Sequence, residues 1–76
     1  MNKLERAFGR PIEQVEIPLK NGGIVIFQRY FTMDGNAHQF DEIKSDGTAG
    51  SSGYGLGALG FESYKVKILE RLGGAA

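Results

Sequence analysis

The sequence contains no cysteine and a single histidine in 76 residues. The absence of cysteine excludes disulfides and thiolate metal sites, and one histidine cannot form an imidazole cluster. A chain of this length folds as one domain and hides only about 60% of the surface that its unfolded form exposes, so it usually needs reinforcement. We therefore expect a partner protein, or a second copy in a homodimer, to supply extra stability.

The sequence also lacks an excess of charge of either sign, because nine basic and nine acidic residues give a net charge of zero. Binding to nucleic acid through phosphates normally requires a basic excess, so the composition disfavours it. No apolar run approaches the roughly 20 residues that span a bilayer. The N-terminal stretch MNKLERAFGRP has no apolar signal core. We expect a cytoplasmic protein with no membrane association.

A short helix is predicted over residues 2–9. Asn2 and Glu5 have the spacing of a capping box, in which two side chains satisfy free amides at a helix start. Leu4 and Phe8 lie on one helical face. Seven or so residues do not hold a helix alone, so this face must pack on the rest of the domain.

An antiparallel meander of three strands is predicted over residues 14–43, since polar and apolar residues alternate and turn-forming residues separate the runs. Pro18 cannot donate a ladder hydrogen bond, which places the first strand at a sheet edge. A tight turn over the Asn-Gly pair at 21–22 would place Ile17 opposite Ile26.

A second tight turn over residues 35–36 would place Phe31 opposite Phe40. In that register one face of the meander interleaves aromatic residues with an arginine, which resembles a platform for stacking nucleic-acid bases. Burial of this face in the core is the stronger interpretation, because large apolar side chains are usually buried. The candidate residues of this alternative, nucleic-acid-binding function are Phe27, Arg29, Phe31 and Phe40.

A glycine-rich segment, SDGTAGSSGYGLGALG at residues 45–60, holds half of the 12 glycines. Its GLGALG matches the glycine pattern of dinucleotide-binding sites, but no strand is predicted before the match and the 16 residues after it are too few for the rest of such a unit. We predict a long loop that offers Tyr54, Leu56 and Leu59 to a partner protein. A passive linker is the alternative.

The C-terminal segment, residues 61–72, fits two kinds of secondary structure. Phe61, Tyr64 and Ile68 have helical spacing, whereas Tyr64, Val66 and Ile68 alternate with polar residues as in a strand. A fourth strand of the sheet is slightly favoured, because its outward lysines would protect an edge.

No combination of residues indicates a reaction centre. His38 with Asp34, Asp41 and Glu42 cannot converge on one point, because these residues alternate between strand faces. A surface or turn-adjacent histidine is the better interpretation of His38. No catalytic residue, metal site or cofactor is therefore predicted.

The sequence as a whole predicts a small α+β domain: a short N-terminal helix, an antiparallel sheet of three or four strands, a glycine-rich loop and a C-terminal strand or helix. We expect a non-enzymatic module that binds another protein, as stoichiometric inhibitors and adaptors do. Compact phage or mobile-element proteins that block a host machine belong to this group.

Overall fold

The computed structural model describes residues 3–33, 37–56 and 60–76. One antiparallel sheet in the order β1-β2-β3-β4 is flanked by two helices, so the predicted α+β class and N-terminal helix are confirmed. In chain order the elements are α1 (Lys3–Phe8), β1 (Glu13–Pro18), β2 (Ile24–Tyr30), β3 (Ala37–Ile43), β4 (Ala49–Leu56) and α2 (Phe61–Arg71). The first strand lies at an edge, as its proline predicts.

The β1–β2 hairpin is closed by a three-residue loop between Leu19 and Gly23. The Leu19 N–H donates to the Gly23 carbonyl at 2.8 Å, and Gly22 adopts a left-handed φ of 91°. Such a loop needs one residue at positive φ, which glycine adopts without strain. The loop is one residue longer than the predicted turn, so Ile17 lies opposite Val25 and the predicted pairing is wrong.

The β3–β4 hairpin repeats this loop geometry. The Lys44 N–H donates to the Thr48 carbonyl at 2.8 Å, and Gly47 has a φ of 87°. The Asp46 carboxylate accepts hydrogen bonds from the Thr48 hydroxyl and N–H, which lower the pKa of Asp46. Both hairpins therefore combine a left-handed glycine with a preceding Asn or Asp that accepts a main-chain bond.

The β2–β3 pairing places Phe27 opposite Phe40, so the predicted pair of Phe31 with Phe40 is wrong. β2 ends at Tyr30 and β3 begins at Ala37. The predicted turn at 35–36 lies outside the described residues. This register places the two phenylalanines side by side in the core, where both are buried.

Helix α2 covers one face of the sheet, which we call the covered face. The predicted C-terminal strand is wrong: Phe61, Tyr64 and Ile68 are buried at helical spacing, whereas Val66 points to solvent. The helix is preferred because it brings all three apolar side chains onto one layer of the core. The buried core residues of both layers are Leu19, Val25, Phe27, Phe40, Phe61, Tyr64 and Ile68.

Strand β4 occupies most of the segment predicted to be a loop, so that prediction is wrong for Ala49–Leu56. Two of its glycines lie against aromatic rings of the core, one from β3 and one from α2. A Cβ on Gly53 would lie 3.1 Å from the Phe40 ring, and one on Gly55 would contact Tyr64. The Tyr64 hydroxyl also donates to the Gly53 carbonyl at 3.4 Å. Strand positions without side chains therefore let the aromatic rings lie directly on β4.

Candidate functional site

The sheet has two edges, and the β1 edge is protected. β1 carries the charged Glu16 and a proline, Pro18, on its outer side. The residues that follow α2 also lie along this edge: the Ala76 N–H donates to the Pro18 carbonyl at 2.9 Å, and the Lys20 N–H donates to the Gly74 carbonyl at 3.1 Å. Charge, proline and a covering segment are the devices by which proteins block strand addition at an edge.

The β4 edge has none of these devices. Its eight residues, AGSSGYGL, include no charged residue and no proline, and no fifth strand lies beside it in the described part of the chain. The strand is longer than any other in the sheet. A long uncharged edge is a template for pairing with another chain.

The orientation of the β4 main chain follows from the ladder. Lys44 is hydrogen-bonded to Thr48, so its main-chain N–H and C=O groups face β4. Alternate residues of β3 share this orientation, so the N–H and C=O groups of Phe40 and His38 also face β4, opposite Gly53 and Gly55. The alternate residues of β4 therefore direct their N–H and C=O groups away from β3. These outward residues are Ser52, Tyr54 and Leu56.

A β-bulge separates this outer segment from the hairpin loop. The pairing of β3 with β4 shifts between Asp41 and Ile43, so that Gly50 and Ser51 both lie opposite Glu42. The Glu42 carboxylate accepts the Ser51 N–H at 3.0 Å, which ties the bulge to β3. Residues 52–56 form the regular part of the edge beyond it.

Within the residues that the structure describes, the sheet face opposite α2 is covered at one end, where Phe8 of α1 packs on the buried Tyr30 and Ala37. Beyond this end, three rows of side chains cross all four strands. The outermost row is apolar (Pro18, Ile24, Ile43 and Ala49), and the two rows before it contain eight residues that are half-buried or exposed. We call these eight residues the open face: Gln14, Gln28, Gln39 and Tyr54 in one row, and Glu16, Ile26, Asp41 and Ser52 in the other.

The polar side chains of the open face are linked by hydrogen bonds. Gln28 Nε2 donates to Gln14 Oε1 at 3.0 Å, and the Tyr30 hydroxyl donates to Gln28 Oε1 at 3.3 Å. Gln39 Nε2 donates to Asp41 Oδ2 at 3.2 Å. Side chains held in such a network have few rotamers left to lose when a ligand binds.

The charge on the open face is acidic, since its ionisable carboxylates are Glu16 and Asp41 and it carries no lysine or arginine. Partial burial raises the pKa of Asp41, and the hydrogen bond from Gln39 opposes that shift. The two ion pairs among the described residues, one between β1 and β2 and one within α2, do not include Asp41. This face therefore favours cationic groups and disfavours phosphates.

The residues predicted to bind a partner are partly placed by the structure. Tyr54 lies on the open face opposite Gln39 and is 50% exposed. Leu56 is the last residue of β4 and lies opposite Ala37. Leu59 lies outside the described residues. Tyr54 and Leu56 thus share the edge strand, and their role in binding stays a prediction.

The residues of the nucleic-acid alternative do not form one exposed surface. Phe27 and Phe40 are buried beneath α2, whereas Phe31 follows the end of β2 and is 65% exposed. Arg29 forms an ion pair with Glu13 at 3.1 Å. Phe31 lies beyond the end of β2, and the residue opposite Phe40 is Phe27.

His38 is buried, with 3% of its surface exposed, so its predicted surface position is wrong. Its ring lies 5.4 Å from that of Phe61 and 5.2 Å from that of Tyr64, centre to centre. It occupies a core-facing position of β3, two residues from Phe40. Within the described ranges no three metal-ligating side chains cluster, and no helix is long and apolar enough to span a membrane.

The sequence did not predict the β4 edge, the position of Asp41 close to it or the glutamine row. A signal for the edge strand is present at residues 53–56, where glycine alternates with Tyr54 and Leu56 at the period of two that a strand requires. Comparison with known proteins adds no assignment: no protein-family model, no curated protein and no solved structure matches the chain.

Proposed function

We propose that the protein is a non-enzymatic protein-binding module that accepts an extended segment of a partner protein as a fifth strand beside β4. The observation that supports this proposal is the difference between the two edges. The β1 edge carries a charged residue and a proline and is covered by the segment around Ala75. The β4 edge consists of eight uncharged residues, and no other described segment lies along it. Strand addition to a sheet edge is an established mode of peptide recognition.

The main chain of β4 would provide affinity in this mode. The main chain of β4 turns its N–H and C=O groups outward at alternate residues from Ser52 onward, which is the direction from which a further strand would pair. Each such hydrogen bond contributes about 0.5–1.5 kcal/mol net. The bulge at Gly50 and Ser51 marks where the added strand would end, because the ladder is irregular there.

The side chains beside the edge would provide selectivity, since those of an added strand alternate between the two sheet faces. On the covered face Gly53 and Gly55 carry no side chain that would obstruct a large apolar residue of the partner. On the open face the partner would meet Tyr54 and Ser52. Adaptors and stoichiometric inhibitors, including phage or mobile-element proteins that block a host machine, can act by such docking alone. We do not propose the nucleic-acid alternative, because Phe27 and Phe40 are buried.

The test uses a pair of proline substitutions at the two edges. Ser52→Pro removes an outward N–H of β4 and leaves the bonds to β3 in place, and Glu16→Pro is the matched change at an outward position of β1. Each protein is used to capture binding partners from the source cell. A partner that binds the wild type and Glu16→Pro, but not Ser52→Pro, is then purified in complex with the wild type. We expect hydrogen exchange in that complex to slow at residues 52–56.

Thermal unfolding of each variant controls for loss of fold, and Tyr54→Pro provides a second outward position if Ser52→Pro unfolds. Equal binding of partner by wild type and a folded β4 variant would contradict the proposal. Slowed exchange confined to another element would contradict it as well.

A further inference from the structure

Asp41 lies close to the β4 edge, across one small residue. It is directly opposite Ser52, and both side chains are on the open face. Neighbouring strands are about 4.8 Å apart, so a residue added beside Ser52 would have its Cα about 10 Å from that of Asp41. A lysine or arginine side chain is long enough to cross the serine and reach the carboxylate.

The Asp41 carboxylate is suited to receive such a cation. One oxygen, Oδ2, already accepts Gln39 Nε2 at 3.2 Å, which holds the group in place. The ion pairs formed by the described residues do not use Asp41. Desolvation raises its pKa, so its charge is imperfectly compensated in the protein alone. A cation from a partner would compensate the charge in a partly water-excluded setting, where pairing is stronger than at a fully exposed site.

Building on the proposed strand addition, we propose that the added segment carries a lysine or arginine beside Ser52 and that Asp41 selects it. The next open-face residue of the segment, two positions away, would lie beside Tyr54. Aromatic and β-branched residues form the most favourable cross-strand pairs with tyrosine. The preferred partner is therefore an extended peptide with a basic residue two positions from an aromatic or β-branched one.

The requirement for a basic residue distinguishes a basic peptide from other molecules that could bind at the β4 edge. A second copy paired through β4 would bring no cation, because β4 contains no lysine or arginine. A nucleic acid would bring phosphates to a face whose ionisable groups are the carboxylates of Glu16 and Asp41. A basic peptide is the occupant whose charge complements this edge.

The test is selection of a displayed library of random peptides, about 12 residues long, on four proteins: the wild type, Asp41→Asn, Ser52→Pro and the control Glu70→Gln. Asp41→Asn removes the charge and keeps an acceptor for Gln39, and Glu70→Gln makes the same charge change on the exposed side of α2. We expect the wild type and the control to enrich the basic pattern. Asp41→Asn should enrich peptides that lack the basic residue, and Ser52→Pro should enrich no peptide.

A selected peptide is then synthesised with its basic residue or with norleucine in that place. On the wild type we expect the norleucine peptide to bind about three- to tenfold more weakly, as for partly exposed ion pairs. On Asp41→Asn the two peptides should bind equally, which completes a double-mutant cycle.

Three results would overturn the inference. Peptides that need the β4 edge but show no basic preference, or a preference that survives Asp41→Asn, would refute the role of Asp41 and leave strand addition intact. Failure to select any peptide sensitive to Ser52→Pro would count against the proposed function itself. Concentration-dependent dimers in sedimentation equilibrium, abolished by Ser52→Pro, would assign the edge to a second copy.

Discussion

The two faces of the sheet are built by different means. On the covered face, apolar side chains of β2 and β3 pack against aromatic residues of α2, and glycines on β4 let the helix approach. On the open face, glutamines and a carboxylate are linked by hydrogen bonds and remain partly in contact with water. The covered face supplies the stability of a small domain, which leaves the open face and its adjoining edge available for recognition.

The largest effect that tests this contrast is expected from the covered face. Phe27→Ala removes a fully buried ring from the centre of the core and should destabilise the domain by about 3–5 kcal/mol, enough to unfold many domains of this size. Phe31→Ala, at a mostly exposed position, is the matched control and should change stability by less than about 0.5 kcal/mol. Urea unfolding followed by circular dichroism measures both. Similar losses for the two variants would show that burial of Phe27 on the covered face is not a main source of stability.

A smaller effect is expected from the glycines of β4. Gly53→Ala places a methyl group 3.1 Å from the Phe40 ring and should destabilise the domain by about 1–2 kcal/mol. Gly55→Ala places a methyl group 3.7 Å from the Tyr64 ring, which is ordinary contact, and should be neutral or stabilising by up to about 1 kcal/mol. The difference in free energy of unfolding between these neighbours is the measurement. If both substitutions stabilise equally, close packing of aromatic rings against β4 does not explain the glycines.

Tyr64→Phe is expected to have the smallest effect on stability at neutral pH. Its effect should appear at alkaline pH. Burial, together with the charge of Asp41, raises the pKa of Tyr64 to about 12, above its ordinary value of 10.0. Between these values the unfolded chain loses the phenolic proton first, so the stability of the wild type falls as pH rises. The stability of Tyr64→Phe should therefore fall less with rising pH than that of the wild type.

The measurement is the urea midpoint from pH 8 to pH 12, with Tyr54→Phe as the control on the open face. The control should follow the wild type, because Tyr54 is half exposed. A wild-type pH dependence retained in full by Tyr64→Phe would mean that burial of Tyr64 is not responsible.

Much of the fold can be read from local pattern. The N-terminal helix, the edge position of β1 and the presence of the β1–β2 hairpin follow from capping, proline and turn residues. The register of β1 with β2 could not be predicted, because one extra loop residue decides between a type I′ turn and a three-residue loop with Gly22 at positive φ. Whether residues 61–71 form a helix or a strand depends on which of their side chains are buried, and tertiary packing decides that.

The candidate site was predicted only in part, for a related reason. Tyr54 and Leu56 attract notice as apolar residues among glycines, but β4 itself is hidden because glycine has low strand propensity. The core-facing Gly53 and Gly55 also remove the apolar half of the usual alternation. The role of Asp41 depends on its distance from a free edge, and strand order, which no local pattern encodes, sets that distance.

The bulge at Gly50 and Ser51 has a consequence for the whole outer strand. Side chains in a strand alternate between faces, so pairing shifted by one residue exchanges the two sets. If β4 continued in the register set by Ile43 and Ala49, Ser52 and Tyr54 would turn towards α2 and the two glycines would face water. A single additional residue, held by the Glu42 carboxylate, thus decides which side of the molecule displays a tyrosine and which side has room for a helix.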